Sequence, residues 1–303
     1  MSGEHIGFIG VGVMGEPMCR NLVRKHDGPV TAYDLDPVPL ERLAADGAEI
    51  APSVAALAEA ADLVFLSLPS GHEVRAVCLG DGGLIEHVGA GRTVVDTSTA
   101  PPALARELES AFVARGIAFA DAPIARTRQA AVDGTLSIMV GGDTALVERL
   151  RPLLAHIAQD VTHCGPVGSG QAVKILNNMI LFQNVRALAE GLAIARRQGI
   201  EPATFLEAVG RSSGDSFALR NHGMKAMLEE RYPEGAFPVT YAMKDLDYAL
   251  DLAEESGLDA EGAALVKALF SEAIERGLGA RYHPVIATLI DRARPTKPEE
   301  ETP

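Results

Sequence analysis

Gly10, Gly12 and Gly15 stand in the order G-x-G-x-x-G, with Val11, Val13 and Met14 in the gaps. They follow an apolar run at residues 6–9 and precede a stretch with helical spacing, and this placement makes them a candidate phosphate cradle. Gly10 permits a tight turn, Gly12 lets a pyrophosphate approach the backbone, and Gly15 lets the helix pack closely on the strand. The amides at the helix start then face the phosphates. Asp34 closes the next apolar run, where a carboxylate can accept hydrogen bonds from ribose hydroxyls. Together with Asp36 it would repel a 2′-phosphate, so NAD is expected over NADP. The competing role for Asp34 is that of a turn residue ahead of Pro37.

These residues need a scaffold of strands and helices to bring them together. Short apolar runs at 6–9, 30–33, 63–66, 93–95 and 117–119 alternate with helix-like segments such as 53–60 and 101–115, for which Ser53 and Thr99 are the expected caps. The alternation predicts βαβ units, hence a doubly wound, mostly parallel sheet with helices on both faces; runs at 136–140 and 161–163 extend it. At the glycine-rich breaker 165–170 the composition changes. Residues 171–198 contain no proline and one glycine, which predicts a helix about 40 Å long, enough to bridge two domains. Further helical patterns follow, with breaks near Gly214, Gly235, Gly257 and Gly277. The expected division is a dinucleotide-binding domain over 1–164, a helical domain over 165–294 and a disordered tail over 295–303.

Composition excludes several classes of function. The 27 basic and 41 acidic side chains give a formal charge of −14, which repels nucleic acid and anionic membrane surfaces. Cys19, Cys78 and Cys164 form no CxxC pair, so neither a disulfide framework nor a metal site is expected, and a reducing cytoplasm fits best. No apolar run reaches the roughly 18 to 20 residues that span a bilayer, and residues 1–5 do not read as a secretory signal.

The chain resembles the β-hydroxyacid dehydrogenase family, which includes 3-hydroxyisobutyrate dehydrogenase, tartronate semialdehyde reductase and sulfolactaldehyde reductase. The resemblance rests on residues 10–21 (GVGVMGEPMCRN), Asp96-Thr97-Ser98-Thr99, Asp121-Ala122-Pro123 leading to Gly134-Thr135-Leu136, residues 165–178 with their KILNN end, and Lys244-Asp245-Leu246. It implies an N-terminal Rossmann-type domain, a long interdomain helix and an all-helical C-terminal domain that pairs subunits into homodimers or homotetramers. It also implies that Lys174 is the catalytic lysine, taking the proton from a substrate hydroxyl in oxidation and returning it in reduction. Asn178, at i+4, shares its helix face and could hold Lys174 or the substrate oxygen. Leu68, Pro69 and Thr99 match positions that line the cofactor, and Lys244 matches a lysine that reaches it from the helical domain. For Lys244 the alternative is an ion pair with Asp247 or a neighbouring acid.

One segment departs from the family pattern. Most relatives have Ser-Gly-Gly where this chain has Ala125, Arg126 and Thr127, the turn that binds the substrate carboxylate. An arginine and a threonine would suit a tetrahedral sulfonate, as in sulfolactaldehyde reductases; alternatively the arginine is solvated and backbone amides bind a plain carboxylate. The expected activity is NAD-dependent interconversion of a short anionic 3-hydroxy acid, or hydroxy sulfonate, and its semialdehyde. The alternatives are a decarboxylating enzyme of the 6-phosphogluconate dehydrogenase type and a dinucleotide-binding module without catalysis.

Overall fold

The structure, a computed structural model, describes residues 3–291, and the tail expected at 295–303 lies outside them. By compactness the chain divides into two units, Met1–Lys174 and Ile175–Pro303. The first unit therefore runs past residue 164, into the start of a helix. The reason is local: the Asp121 carboxylate accepts hydrogen bonds from the amides of Gly168 and Gln171 and ties that helix start to the sheet.

The sheet of the first unit comprises β1 (Ile6–Ile9), β2 (Val30–Tyr33), β3 (Glu49–Ile50), β4 (Leu63–Leu66), β5 (Thr93–Asp96), β6 (Ala118–Asp121), β7 (Ile124–Ala125), β8 (Leu136–Gly141) and β9 (Ala158–Gly165). Their spatial order is β3-β2-β1-β4-β5-β6-β8-β7, with β9 beside β8. Strands β1 to β6 pair in parallel, whereas β6 and β7 meet β8 antiparallel. Around the sheet lie α1 (Gly15–Lys25), α2 (Pro37–Ala45), α3 (Val54–Ala60), α4 (Gly71–Leu79), α5 (Leu84–His87), α6 (Pro102–Val113), α7 (Arg128–Asp133) and α8 (Thr144–Leu154), and α9 (Ser169–Arg197) leaves it. Every residue of β1, β4 and β5 is buried, because helices cover both faces. Ile6, Phe8 and Phe65 pack with Met18 and Leu22 of α1 and Leu150 of α8. On the other face Ile9, Val64 and Leu66 pack with Leu57 of α3 and Leu108 and Phe112 of α6. The alternation follows from the two-residue period of a strand.

Caps decide where several helices begin. Ser53 accepts a hydrogen bond from the Ala56 amide and starts α3, as its position in the sequence implies. The cap expected of Thr99 is different: α6 begins at Pro102 with Pro101 in the capping position, so Thr99 stays in the loop after β5. Pro102 suits the first helical position because its missing N–H would have been unpaired there anyway.

The second unit is helical. The rest of α9 packs with α10 (Pro202–Gly210), a π-helical segment (Leu219–Met227), α11 (Val239–Glu255), α12 (Glu261–Glu275) and α13 (Ile286–Ile290) around Phe182, Leu206, Leu246, Val266 and Phe270. The breaks expected near Gly214, Gly235, Gly257 and Gly277 fall between these helices. The π-helical segment was not expected from the sequence. It carries His222, whose ring lies 5.0 Å from that of the fully buried His283. His222 Nδ1 is hydrogen-bonded to the Tyr282 hydroxyl, while neither ring nitrogen of His283 has a protein partner among the described residues.

Burial pushes His222 down to about 4 and His283 well below the usual imidazole range, because a desolvated ring resists charge. Both histidines are then neutral in the folded unit, whereas the unfolded chain binds protons below about pH 6.5. Stability is therefore present above pH 6.5 and lost as pH falls toward 4, by up to about 1.4 kcal/mol per pH unit for each ring. Urea unfolding between pH 7 and pH 5 should show this loss, and His283→Phe should flatten it. An unchanged slope in that variant would refute the assignment.

Candidate active site

Parallel register brings the sequence-predicted cofactor residues of the first unit to one edge. Tyr33, Ile9, Leu66, Asp96 and Asp121 are paired in succession across β2, β1, β4, β5 and β6. The residues just beyond that row therefore face a common crevice at the carboxyl ends of the strands. Asp34, Gly10, Leu68 and Thr99 all lie there. The strand order reverses between β2-β1 and β1-β4, the position at which doubly wound sheets bind ligands.

The cradle fits a dinucleotide in detail. Gly10 has φ +89°, and a Cβ there would come within 2.3 Å of the Ser67 carbonyl oxygen. A Cβ on Gly15 would lie 1.9 Å from the Gly10 carbonyl oxygen, so only glycine lets α1 meet the turn. At Gly12 nothing lies within 4 Å of a Cβ position, which leaves the backbone open to a phosphate. Val13 is exposed and Met14 half-buried, and no side chain caps α1, so its amino end remains available to an anion. Asp34 Oδ2 accepts a 2.6 Å hydrogen bond from the Val11 amide, and Oδ1 accepts one from Asp36 N. Asp34 thus orients the glycine turn and, through Asp36, also fills the turn role expected as its alternative. Glu16 engages both Arg20 and Arg42, and these partners, Arg42 foremost, pull its carboxyl down to about 2. Two cations near this end of the crevice are already paired.

Leu68 is half-buried against the core and Pro69 is exposed, and the Leu68 amide donates to Ser98 Oγ, which joins the loops after β4 and β5. Lys174 lies in the second turn of α9 and is 9% exposed. Ala125 pairs with Ser137 of β8 in the short strand β7. Arg126 follows with φ +87°, a left-handed backbone that glycine adopts freely and an arginine does not. Its guanidinium is held by Asp160, the Thr135 carbonyl and Gln159. The Thr127 hydroxyl caps α7 by accepting from the Ala130 amide. The side chains of Arg126 and Thr127 therefore both serve the fold in this structure.

In the second unit, Asn178 Nδ2 donates to Asp245 Oδ2 at 2.6 Å, and Asp245 Oδ1 lies 3.2 Å from Lys244 Nζ. Lys244 also sits 5.4 Å from the centre of the Tyr248 ring. Of the alternative partners expected for Lys244, Asp247 pairs with Lys267, whereas the neighbouring acid Asp245 does form the ion pair. Sequence reasoning assigned no role to Asp245, Asp121 or Gln171, although each lies inside a motif it had singled out. Among the described residues no group of three or more His, Cys, Asp or Glu could hold a metal, and no helix is long and apolar enough to cross a membrane.

A Rossmann-type sheet with a glycine cradle and a carboxylate just beyond its second strand, followed by a helical unit, is the architecture of nicotinamide-dinucleotide oxidoreductases. Residues 5–165 match the NAD binding domain of 6-phosphogluconate dehydrogenase, and residues 168–290 match the NAD-binding domain of NADP-dependent 3-hydroxyisobutyrate dehydrogenase. The chain is 36% identical to 2-(hydroxymethyl)glutarate dehydrogenase of Eubacterium barkeri, over 90% of both chains. It is 33% identical to the NAD-dependent L-serine dehydrogenase of Pseudomonas aeruginosa, over 95% of this chain and 98% of that one. A solved 3-hydroxyisobutyrate dehydrogenase of Mycobacterium tuberculosis with L-serine superposes with a TM-score of 0.86 at 27% identity, covering 95% of this chain and 99% of the other. The chain belongs to the 3-hydroxyisobutyrate dehydrogenase family, and it is an enzyme that acts on CH–OH groups with a nicotinamide dinucleotide.

Proposed function

We propose that the enzyme interconverts a short 3-hydroxy carboxylate and its semialdehyde, with NAD preferred and Lys174 as the group that moves the hydroxyl proton. The observation that carries this reading is the burial of Lys174 in the second turn of α9, in the same unit as the dinucleotide cradle. A lysine shielded from bulk water can exchange its proton with a bound substrate rather than with solvent. When bound, the dinucleotide accepts or supplies the hydride. Lys174 Nζ takes the hydroxyl proton as the carbinol carbon is oxidised, and its ammonium form protonates the alkoxide in the reverse direction. By the resemblance, Asn178, which Asp245 holds, is assigned to the substrate oxygen and Lys244 to the cofactor. The relatives named above act on 2-(hydroxymethyl)glutarate and L-serine, both short hydroxy acids.

A carboxylate fits the turn at 125–127 better than a sulfonate, because the Arg126 guanidinium is already paired with Asp160. Backbone amides of the turn are the donors we assign to the substrate anion. Arg126→Ala should then change kcat/KM by less than about 5-fold on methylmalonate semialdehyde and tartronate semialdehyde, as expected for an exposed ion pair worth about 1 kcal/mol or less. A loss of 100-fold confined to sulfolactaldehyde would restore the sulfonate reading. NADH oxidation at 340 nm over these three aldehydes tests the function itself, and no turnover with any of them would refute it.

We further propose a homo-oligomer formed through the second unit. Leu176, Ile180 and Ile194 share one face of α9 and are 41%, 55% and 61% exposed, an apolar stripe that a second copy would cover. Light scattering that gave a stable 31.9 kDa monomer at micromolar concentration would remove this proposal.

A further inference from the structure

We propose that Gln171, with Asp121, is a positioning residue that joins the helix turn carrying Lys174 to the loop lining the cofactor crevice, and so sets the relation between proton transfer and hydride transfer. This rests on Lys174 being the proton-transfer group.

The brace is complete within the first unit. Asp121 ends β6 with no exposed surface, and its Oδ1 and Oδ2 each accept a 2.7 Å hydrogen bond, from the amides of Gly168 and Gln171. Two of the amides that a helix start leaves without partners are thereby satisfied by a single carboxylate. The side chain of Gln171, also without exposed surface, continues the connection across the sheet edge. Its Oε1 accepts from the Ala100 amide at 3.0 Å, and its Nε2 donates to the Ser98 carbonyl at 2.8 Å. Ser98 in turn accepts from the Leu68 amide, and its own amide donates to Asp96. A chain of hydrogen bonds therefore leads from the helix turn before Lys174 through Gln171 to Ser98 and Leu68. These flank Thr99 and Pro69, two of the residues assigned to the cofactor.

Two glycines make the approach possible. A Cβ on Gly141 would lie 2.3 Å from Asp121 Oδ1, and one on Gly170 would lie 2.4 Å from the Met139 carbonyl and 2.8 Å from Asp121 Oδ2. The helix start is thus pressed against β8 and Asp121 with no space for another side chain. Gln171 and Lys174 are three residues apart, about one helical turn, so a shift of the first is carried to the second by the helix backbone. A misplacement of about 1 Å at a reacting group can cost on the order of 100-fold in rate. Asparagine cannot replace Asp121 in this role, because its amide nitrogen would face a backbone N–H where the carboxylate offers an acceptor.

The test compares Gln171→Met, Asp121→Asn and Lys174→Met in the full chain, using the aldehyde of the panel that wild type turns over fastest. Gln171→Met is expected to lower kcat 10- to 100-fold and to raise the deuterium isotope effect with reductively labelled NADH, while NADH affinity by fluorescence stays within 3-fold. Amide hydrogen exchange in the peptide spanning 166–173 should be at least 10-fold faster in Asp121→Asn, without cofactor or substrate present. In the Lys174→Met background, Gln171→Met should add less than 3-fold. If Gln171→Met does not fold, Gln171→Glu keeps the bond from Ala100, loses the one to Ser98, and should show the same changes in smaller measure. Wild-type turnover and isotope effect in a folded Gln171 variant, beside an inactive Lys174→Met, would overturn the brace alone. Near-normal turnover in Lys174→Met would overturn the reading of Lys174, and the brace as its positioner with it.

Discussion

Lys174→Ala is expected to lower kcat by at least about 100-fold while NADH affinity stays near that of wild type. General acid or base action by one side chain contributes about 10² to 10⁴ in rate, and this is the whole of what the substitution removes from the chemistry. The cradle around Gly10, Gly12 and Gly15 and the Asp34 carboxylate do not involve Lys174 and should be unaffected. Alanine has high helix propensity, so α9 should persist. Steady-state kinetics together with a fluorescence titration of NADH separate the two effects. A variant with near-normal turnover would show that another group moves the proton.

The second large effect is expected at the ribose. Asp34→Ser combined with Leu35→Arg should shift the ratio of kcat/KM for NADPH over NADH upward by about 100-fold. The change removes a carboxylate that would repel a 2′-phosphate and adds a guanidinium that can hold it, and a charged hydrogen bond is worth about 1.5–3 kcal/mol. Leu35 is 90% exposed, so an arginine there meets no core atoms. Serine is too short to keep the bond that Asp34 makes to the Val11 amide, so affinity for both cofactors should fall somewhat. The ratio is therefore the quantity to read. A wild-type enzyme that already preferred NADPH would overturn the charge argument.

Much of the cofactor end was legible because its requirements are local. A turn that only glycine can make, a helix that begins beside it and a carboxylate one strand later all leave their mark within some 25 residues of chain. The substrate end was less legible. Arg126 read equally well as an anion ligand or a loop residue, since its partners are Thr135, just before β8, and Gln159 and Asp160 of β9 rather than residues of its own segment. Likewise the Thr99 cap failed because the helix starts at Pro102, a difference of a few residues that propensity does not resolve.

Taken by itself, the sequence determined the alternation of strands and helices, the glycine turn, the carboxylate just beyond the second strand and the long helix beyond residue 165. Each is dictated by short-range sterics or by apolar periodicity, which a linear chain displays directly. Tertiary structure alone decided that Asp121 and Gln171 anchor the start of α9, that Asp245 holds Asn178 and Lys244 in the helical unit, and that Arg126 is spent on Asp160. The hydrogen bonds of Asp121 to Gly168 and Gln171, of Asn178 to Asp245 and of Arg126 to Asp160 join residues 34 to 67 positions apart. A buried hydrogen bond depends on where two strands or helices come to rest against each other, and no local pattern in the chain encodes that position.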